Sequence, residues 1–274
     1  MPESIALNCD CLDGMKSLPN ECIDLTVTSP PYDNIRDYNG FTFDWKSTIK
    51  QIYRVTKDGG VVVWIVNDQT VNGSETGTSF RQALYAKECG FNLHDTMIWD
   101  KNALRFPCET RYHDCFEYMF VFSKGAPKTH TLIEDRVNVW GGAALHGTDR
   151  QKDGSITPQV GNGKRNIKEV GKRFNVWHMS AVQSSLERTG HRAQFPLALA
   201  RDHIISWSKE GDTVMDPFLG SGTTRIAAYD LNRKFIGYEI SKEYFDKQEE
   251  RFAAYTAQQS LFVGDGAEQI GMEL

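Results

Sequence analysis

The run Val61-Val62-Val63-Trp64-Ile65-Val66 leaves this chain few architectures to choose from. β-Branched residues favour extended backbone, and a strand with no polar alternation has no face to give to water. It must lie inside a sheet covered on both sides, as a parallel sheet flanked by helices is. The neighbouring sequence supplies the covers. Trp45, Ile49, Ile52 and Tyr53 recur at helical spacing on one face of an amphipathic helix that stops before Asp58-Gly59-Gly60. Residues 79–88 read as a second helix closed by Gly90, and 91–99 and 116–123 as further strands. This alternation predicts a mostly parallel α/β sheet.

A shorter strand, residues 23–27, runs into Thr28-Ser29-Pro30-Pro31-Tyr32. Proline fixes φ and has no N–H, so the pair cannot continue a central ladder and must turn out of the sheet. The rigid loop presents the Ser29 hydroxyl, the Pro30 carbonyl and the Tyr32 ring at the carboxyl end of a strand, where open α/β sheets keep their ligand sites. Those groups suit a flat ring bearing an amino group. Taken alone, the same residues also describe a stiff turn with a partly buried tyrosine.

A second stretch, Val214-Met215-Asp216-Pro217-Phe218-Leu219-Gly220-Ser221-Gly222-Thr223-Thr224, passes from a strand through a glycine-rich turn into a helix over 223–231. Glycines let backbone approach a ligand, and the new helix offers free N–H groups. The next strand ends at Glu239, 23 positions after Asp216, near the roughly 20-residue offset at which an acid meets a ribose hydroxyl in nucleotide-binding βαβ units. A nucleoside cofactor is indicated. Gly-x-Gly-x-x-Gly is incomplete, and no Gly-Lys-Ser/Thr of a phosphate loop occurs.

Around these stretches the rest falls into place. Residues 5–10 read as a strand ending in an acid, 12–18 as a brief helix, and 195–207 as a helix begun by proline, with Leu197, Ala200, Ile204 and Trp207 on one face. Ser241 caps a final helix carrying Tyr244, Phe245, Phe252 and Tyr255. Between 124 and 188 the rhythm is lost to Gly, Lys, Asn and Thr. Net charge is −5, yet residues 124–192 hold twelve Lys and Arg against six Asp and Glu, the remainder nineteen against thirty. A basic segment in an acidic body reads as a localised phosphate-contacting surface, or else as a solvated loop. The six cysteines lack the paired spacing of zinc sites, so no metal is expected. With no membrane-length apolar run and no signal-like start, a cytoplasmic protein is expected.

Together the two stretches resemble the β class of S-adenosylmethionine-dependent DNA amino-methyltransferases, through Ser/Asp/Asn-Pro-Pro-Tyr/Phe and Asp-Pro-Phe-x-Gly-Ser-Gly-Thr-Thr in circularly permuted order. His191-Arg192-Ala193-Gln194-Phe195-Pro196 is similar to the further cofactor motif of that class. The resemblance implies a Rossmann-like methyltransferase fold, with residues 1–125 the catalytic half, 126–188 an inserted target-recognition region and 189–274 the cofactor-binding half. It implies that Asp216, Pro217, Phe218, Gly220, Ser221, Gly222, Thr223 and Phe195 cradle the methionine end, that Glu239 accepts from the ribose, and that Asp10 and Cys11 lie near the adenine. Ser29 and the Pro30 carbonyl would accept the two amino protons of a flipped base, Pro31 would hold the turn, and Tyr32 would stack on the ring. Serine at the first motif position is typical of cytosine-N4 enzymes, with adenine-N6 the alternative. Double-stranded DNA is the partner implied. Restriction-modification systems add a cognate endonuclease, and family analogy adds a homodimer. Pro107-Cys108 raises cytosine-C5 chemistry, but the Glu-Asn-Val context that chemistry needs is absent. An RNA amino group and a silent nucleic-acid-binding protein remain as rivals.

Overall fold

The computed structural model describes residues 3–31, 43–101, 109–180 and 194–264. In chain order the elements are β1 (Ser4–Leu7), α1 (Cys11–Lys16), β2 (Ile23–Thr28), α2 (Trp45–Val55), β3 (Thr56–Val66), β4 (Thr70–Val71), β5 (Ser74–Glu75) and α3 (Thr78–Glu88). They continue with β6 (Asn92–Asp100), β7 (Phe116–Ser123), β8 (Glu134–Val137), β9 (Thr148–Arg150), β10 (Ile156–Pro158), β11 (Val170–Lys172) and β12 (Val176–His178). Last come α4 (Leu197–Trp207), β13 (Thr213–Asp216), α5 (Thr223–Asp230), β14 (Lys234–Tyr238) and α6 (Lys242–Gly264). Two compact units result, Met1–Thr131 with Val176–Leu274, and Leu132–Asn175.

The first unit is built on an eight-stranded sheet in the order β1-β14-β13-β2-β3-β7-β6-β12. All neighbours are parallel except β7, which runs antiparallel to both β3 and β6. Lys101 N donates to the Cys115 carbonyl at 2.8 Å, which continues the antiparallel pairing of β6 and β7 one residue past their ends.

The strand that constrains the fold behaves as its composition demands: every residue from Val61 to Val66 is buried. Val61, Val63 and Ile65 pack on one side with Leu199, Ala200 and Ile204 of α4 and Ala227 and Ala228 of α5. Val62, Trp64 and Val66 pack on the other with Ile49, Ile52 and Val55 of α2 and Ala83 and Ala86 of α3. Each buried Val, Leu or Ile among them contributes about 1.5–3 kcal/mol by leaving water. Trp64 Nε1 keeps its hydrogen bond inside this layer by donating to Gln82 Oε1 at 2.9 Å.

Several boundaries differ from the sequence reading: β3, read from Val61, begins at Thr56, the helix read over 12–18 is Cys11–Lys16, and two others bear on the site. β1 stops at Leu7, and Asp10 is the N-cap of α1, its carboxylate accepting from Leu12 N at 2.7 Å. Pro196 is the N-cap of α4 rather than its first turn. Strand order decides where the site forms: β13 lies directly beside β2, with Val214 opposite Leu25 and Met215 opposite Thr26. The glycine turn therefore emerges next to the double-proline turn.

The second unit, Leu132–Asn175, consists of two antiparallel ribbons, β8 with β11 and β9 with β10. Most of its residues are exposed, Val139 and Trp140 among them. Among the described residues no helix is long and apolar enough to cross a membrane, and no three His, Cys, Asp or Glu side chains gather as metal ligands would.

Candidate cofactor and catalytic site

A cleft with about 1100 Å³ of empty space, part of it open to solvent, lies where β1, β2, β13 and β14 give way to their loops. Its walls are Asp10, Cys11 and Leu12 after β1, Ser29 and Pro31 after β2, Pro217 to Ser221 and Thr223 after β13, and Tyr238 to Ser241 after β14. Phe43, Asp44 and Thr48 at the start of α2, Gln194 and Phe195 before α4, and Tyr244 of α6 complete them. Both sequence stretches thus open into one cavity. Pro30 is buried and Gly222 sits behind the wall. Tyr32, Cys108 and residues 191–193 lie outside the described residues.

Asp216 does not line the cleft; it holds the cleft together. Its carboxylate is fully buried and accepts from Thr28 Oγ1 at 2.6 Å, Thr224 Oγ1 at 2.8 Å and Phe218 N at 3.0 Å. Thr28 is 188 positions away in sequence and immediately precedes Ser29. One carboxylate therefore ties the end of the double-proline strand to the glycine turn. Burial raises its pKa to about 6 against the lowering effect of the three donors.

Glu239 performs a similar task at the other end. Oε2 accepts from Gly220 N at 2.8 Å and Oε1 from Ser241 N at 2.9 Å, so it joins the glycine turn to the start of α6. Burial pushes its pKa up while these two N–H groups pull it down. Each oxygen keeps a lone pair for a further donor. Gly222, the N-cap of α5, has φ +77°, the left-handed region, and a Cβ there would come within 3.3 Å of Gln248. Phe218 packs edge-on against Phe43, with ring centroids 5.1 Å apart, and so shapes the mouth of the cleft. The Cys11 thiol is pushed to about 12 by burial and stays neutral, unsuited to nucleophilic work.

Sequence reasoning passed over Thr28 and Thr224 as the partners of Asp216, and over Thr48 and Tyr244 as cleft walls, and it read the loop from Asp33 to Asp44, with Phe43, as either a flap over the site or a packed surface loop. The two threonines stood inside the quoted stretches, and a buried carboxylate between two turns requires such donors. Nothing in the local pattern of Phe43 or Tyr244 distinguishes a cleft wall from a packed aromatic.

A parallel sheet whose central strand delivers a glycine turn, followed by a strand ending in an acid, is the architecture of Rossmann-like proteins that bind nucleoside cofactors. A family model described as DNA methylase, covering N6- and N4-directed enzymes, matches residues 23–250, and the chain belongs to that family of S-adenosylmethionine-dependent DNA methyltransferases. It is similar to the orphan methyltransferase M.BamHII of Bacillus amyloliquefaciens, 53% identical over 260 residues that cover 92% of this chain and 97% of the relative. Its fold is similar to that of the cytosine-N4-specific PvuII DNA methyltransferase, with TM-score 0.67, 22% identity and coverage of 91% and 86% of the two chains. It also matches M1.HpyAVI in complex with S-adenosylmethionine, with TM-score 0.62, 24% identity and coverage of 91% and 98%.

Proposed function

We propose that this DNA amino-methyltransferase acts on the exocyclic N4 amino group of a cytosine flipped out of duplex DNA. The observation that carries the reading is the convergence of Ser29, the glycine turn and Glu239 on one cleft. The residues present fit S-adenosylmethionine. Glu239 keeps two lone pairs for ribose hydroxyls, the glycine turn leaves room for the methionine end, and Phe195 and Phe218 supply apolar walls. Asp10 and Cys11 line the same cleft, which supports assigning them to the adenine.

When bound, the cofactor supplies an electrophilic methyl group on a sulfonium. The chain's own task is to prepare the amine. An aromatic amino group has its lone pair delocalised into the ring and attacks poorly. Ser29 Oγ and the Pro30 carbonyl, accepting its two N–H groups, favour pyramidal nitrogen and direct the lone pair toward the methyl group. The same acceptors stabilise the positive charge that develops on nitrogen. Methylation leaves both protons on a cationic nitrogen and acidifies them, so one passes to water, a neutral serine suffices and no strong base is needed. Tyr32 stacks on the flipped base, because a base inside the duplex cannot reach the methyl donor. The ribbons within residues 126–188, whose segment carries excess positive charge, serve target recognition. Serine at position 29 supports cytosine as the target, and the description of the 53%-identical relative as an orphan supports action without a cognate endonuclease. Expression in a host lacking methyltransferases, followed by nucleoside mass spectrometry of its DNA, tests this reading. N4-methylcytosine is expected; N6-methyladenine would overturn the choice of base, and no methylated nucleoside would overturn the activity.

A further inference from the structure

Arg251 of α6 is not part of the cleft wall, but its guanidinium reaches two residues that are. Nη1 donates to the Ser221 carbonyl at 2.7 Å and lies 3.3 Å from Thr223 Oγ1. The helix that carries it is pinned to α5 by Arg225, which donates to Gln248 Oε1 at 3.0 Å and Glu249 Oε1 at 2.7 Å, with its guanidinium 3.9 Å from the centre of the Phe252 ring. Arg251 is therefore delivered to the glycine turn by a fixed element.

The chemistry of the donors sets a direction. A guanidinium has no acceptor, and neither does the Gln194 Nε2 amide that approaches Thr223 Oγ1 at 3.5 Å. Thr223 Oγ1 is thus an acceptor toward both, and its single proton is left to donate, either to Ser221 Oγ at 3.0 Å or into the cleft. An O–H whose oxygen already accepts from a cation is polarised and becomes a stronger donor. Such a hydroxyl, at the first turn of α5, suits an anion. S-Adenosylmethionine carries one, the carboxylate of its amino-acid end. We propose that Arg251 is a positioning residue for that carboxylate, acting through the Ser221 carbonyl and the Thr223 hydroxyl. The proposal rests on the reading of the cleft as the cofactor site.

Two ligands separate this role from a structural one. S-Adenosylhomocysteine has the carboxylate, whereas 5′-methylthioadenosine has the same nucleoside and sulfur without it. Calorimetric titration of Arg251→Met should show S-adenosylhomocysteine bound about tenfold more weakly or worse, the loss of one charge-assisted hydrogen bond, with 5′-methylthioadenosine within about twofold of wild type. Arg251→Lys should recover most of the loss. Retained 5′-methylthioadenosine binding also shows that the variant is folded. Equal weakening of both ligands, or of neither, would overturn the proposal and leave the cleft assignment standing. Glu239→Ala, at the ribose end, should weaken both; if it weakens neither, the cleft assignment fails and the proposal falls with it.

Discussion

The hydrogen bond from Thr28 to Asp216 offers a quantitative test of how the two halves of the site are joined. Thr28→Val keeps the shape of a fully buried side chain and removes only the hydroxyl, leaving Asp216 Oδ1 with Phe218 N as its remaining donor. A hydrogen bond to a charged group contributes about 1.5–3 kcal/mol, against about 0.5–1.5 kcal/mol for a neutral pair. The folded-state pKa of Asp216, about 6, stands above its ordinary 3.8. The stability linked to this raised pKa is therefore fully present below pH ~4 and is lost as pH rises through ~6. The neutral carboxyl loses about 1 kcal/mol and the carboxylate about 2 kcal/mol, so the difference of about 1 kcal/mol raises that pKa by about 0.7 unit. The variant's deficit relative to wild type should accordingly grow with pH, from about 1 kcal/mol at pH 5 to about 2 kcal/mol at pH 8. Urea unfolding of wild type, Thr28→Val and Thr28→Ser across that range measures it, and Thr28→Ser, which retains the hydroxyl, should follow wild type. A deficit below about 0.5 kcal/mol at every pH, or equal deficits in the two variants, would refute the assignment of Asp216 as the carboxylate joining the two turns.

Two further outcomes follow from the geometry and the proposed chemistry. Ser29→Ala should lower kcat by about 10²-fold or more, as removal of one donor or acceptor at the reacting centre does elsewhere, while S-adenosylhomocysteine affinity from calorimetry stays within about threefold. Glu239→Gln places an amide N–H₂ where one of two backbone N–H groups now finds an acceptor, so S-adenosylhomocysteine binding should weaken about 10- to 100-fold with little change in kcat at saturating cofactor.

Much of the first unit was legible in the sequence because its signals are local. The β-branched run of β3, the helical spacing of α2 and the glycines before α5 each state their conformation within a few residues. The reversal of β7 was not legible, because the strand's own composition is the same in either direction and only its pairing with β3 and β6 decides it. β12 also escaped notice. Three residues are too few to show a period, and Val176–His178 becomes a strand only by pairing with β6. In the site, the residue types were readable but their division of labour was not. Asp216 reads as a ligand-facing acid beside a glycine turn, whereas its partners Thr28 and Thr224 turn it inward. That role depends on β13 lying beside β2, a neighbour relation between strands almost 190 positions apart that no local pattern encodes. The ribbons within 132–175 are three to four residues long and Gly-rich in their connections, so their pairing likewise comes from tertiary closure rather than propensity.

The central claim is that Ser29 and the glycine turn form one site in which a cytosine amino group meets the methyl donor. It is tested most directly by incubating purified protein with duplex DNA and S-adenosylmethionine bearing a deuterated methyl group, then digesting the DNA for nucleoside mass spectrometry. The account predicts deuterated N4-methylcytosine with wild type and almost none with Ser29→Ala. Label on adenine N6, or equal labelling by the two proteins, would contradict it.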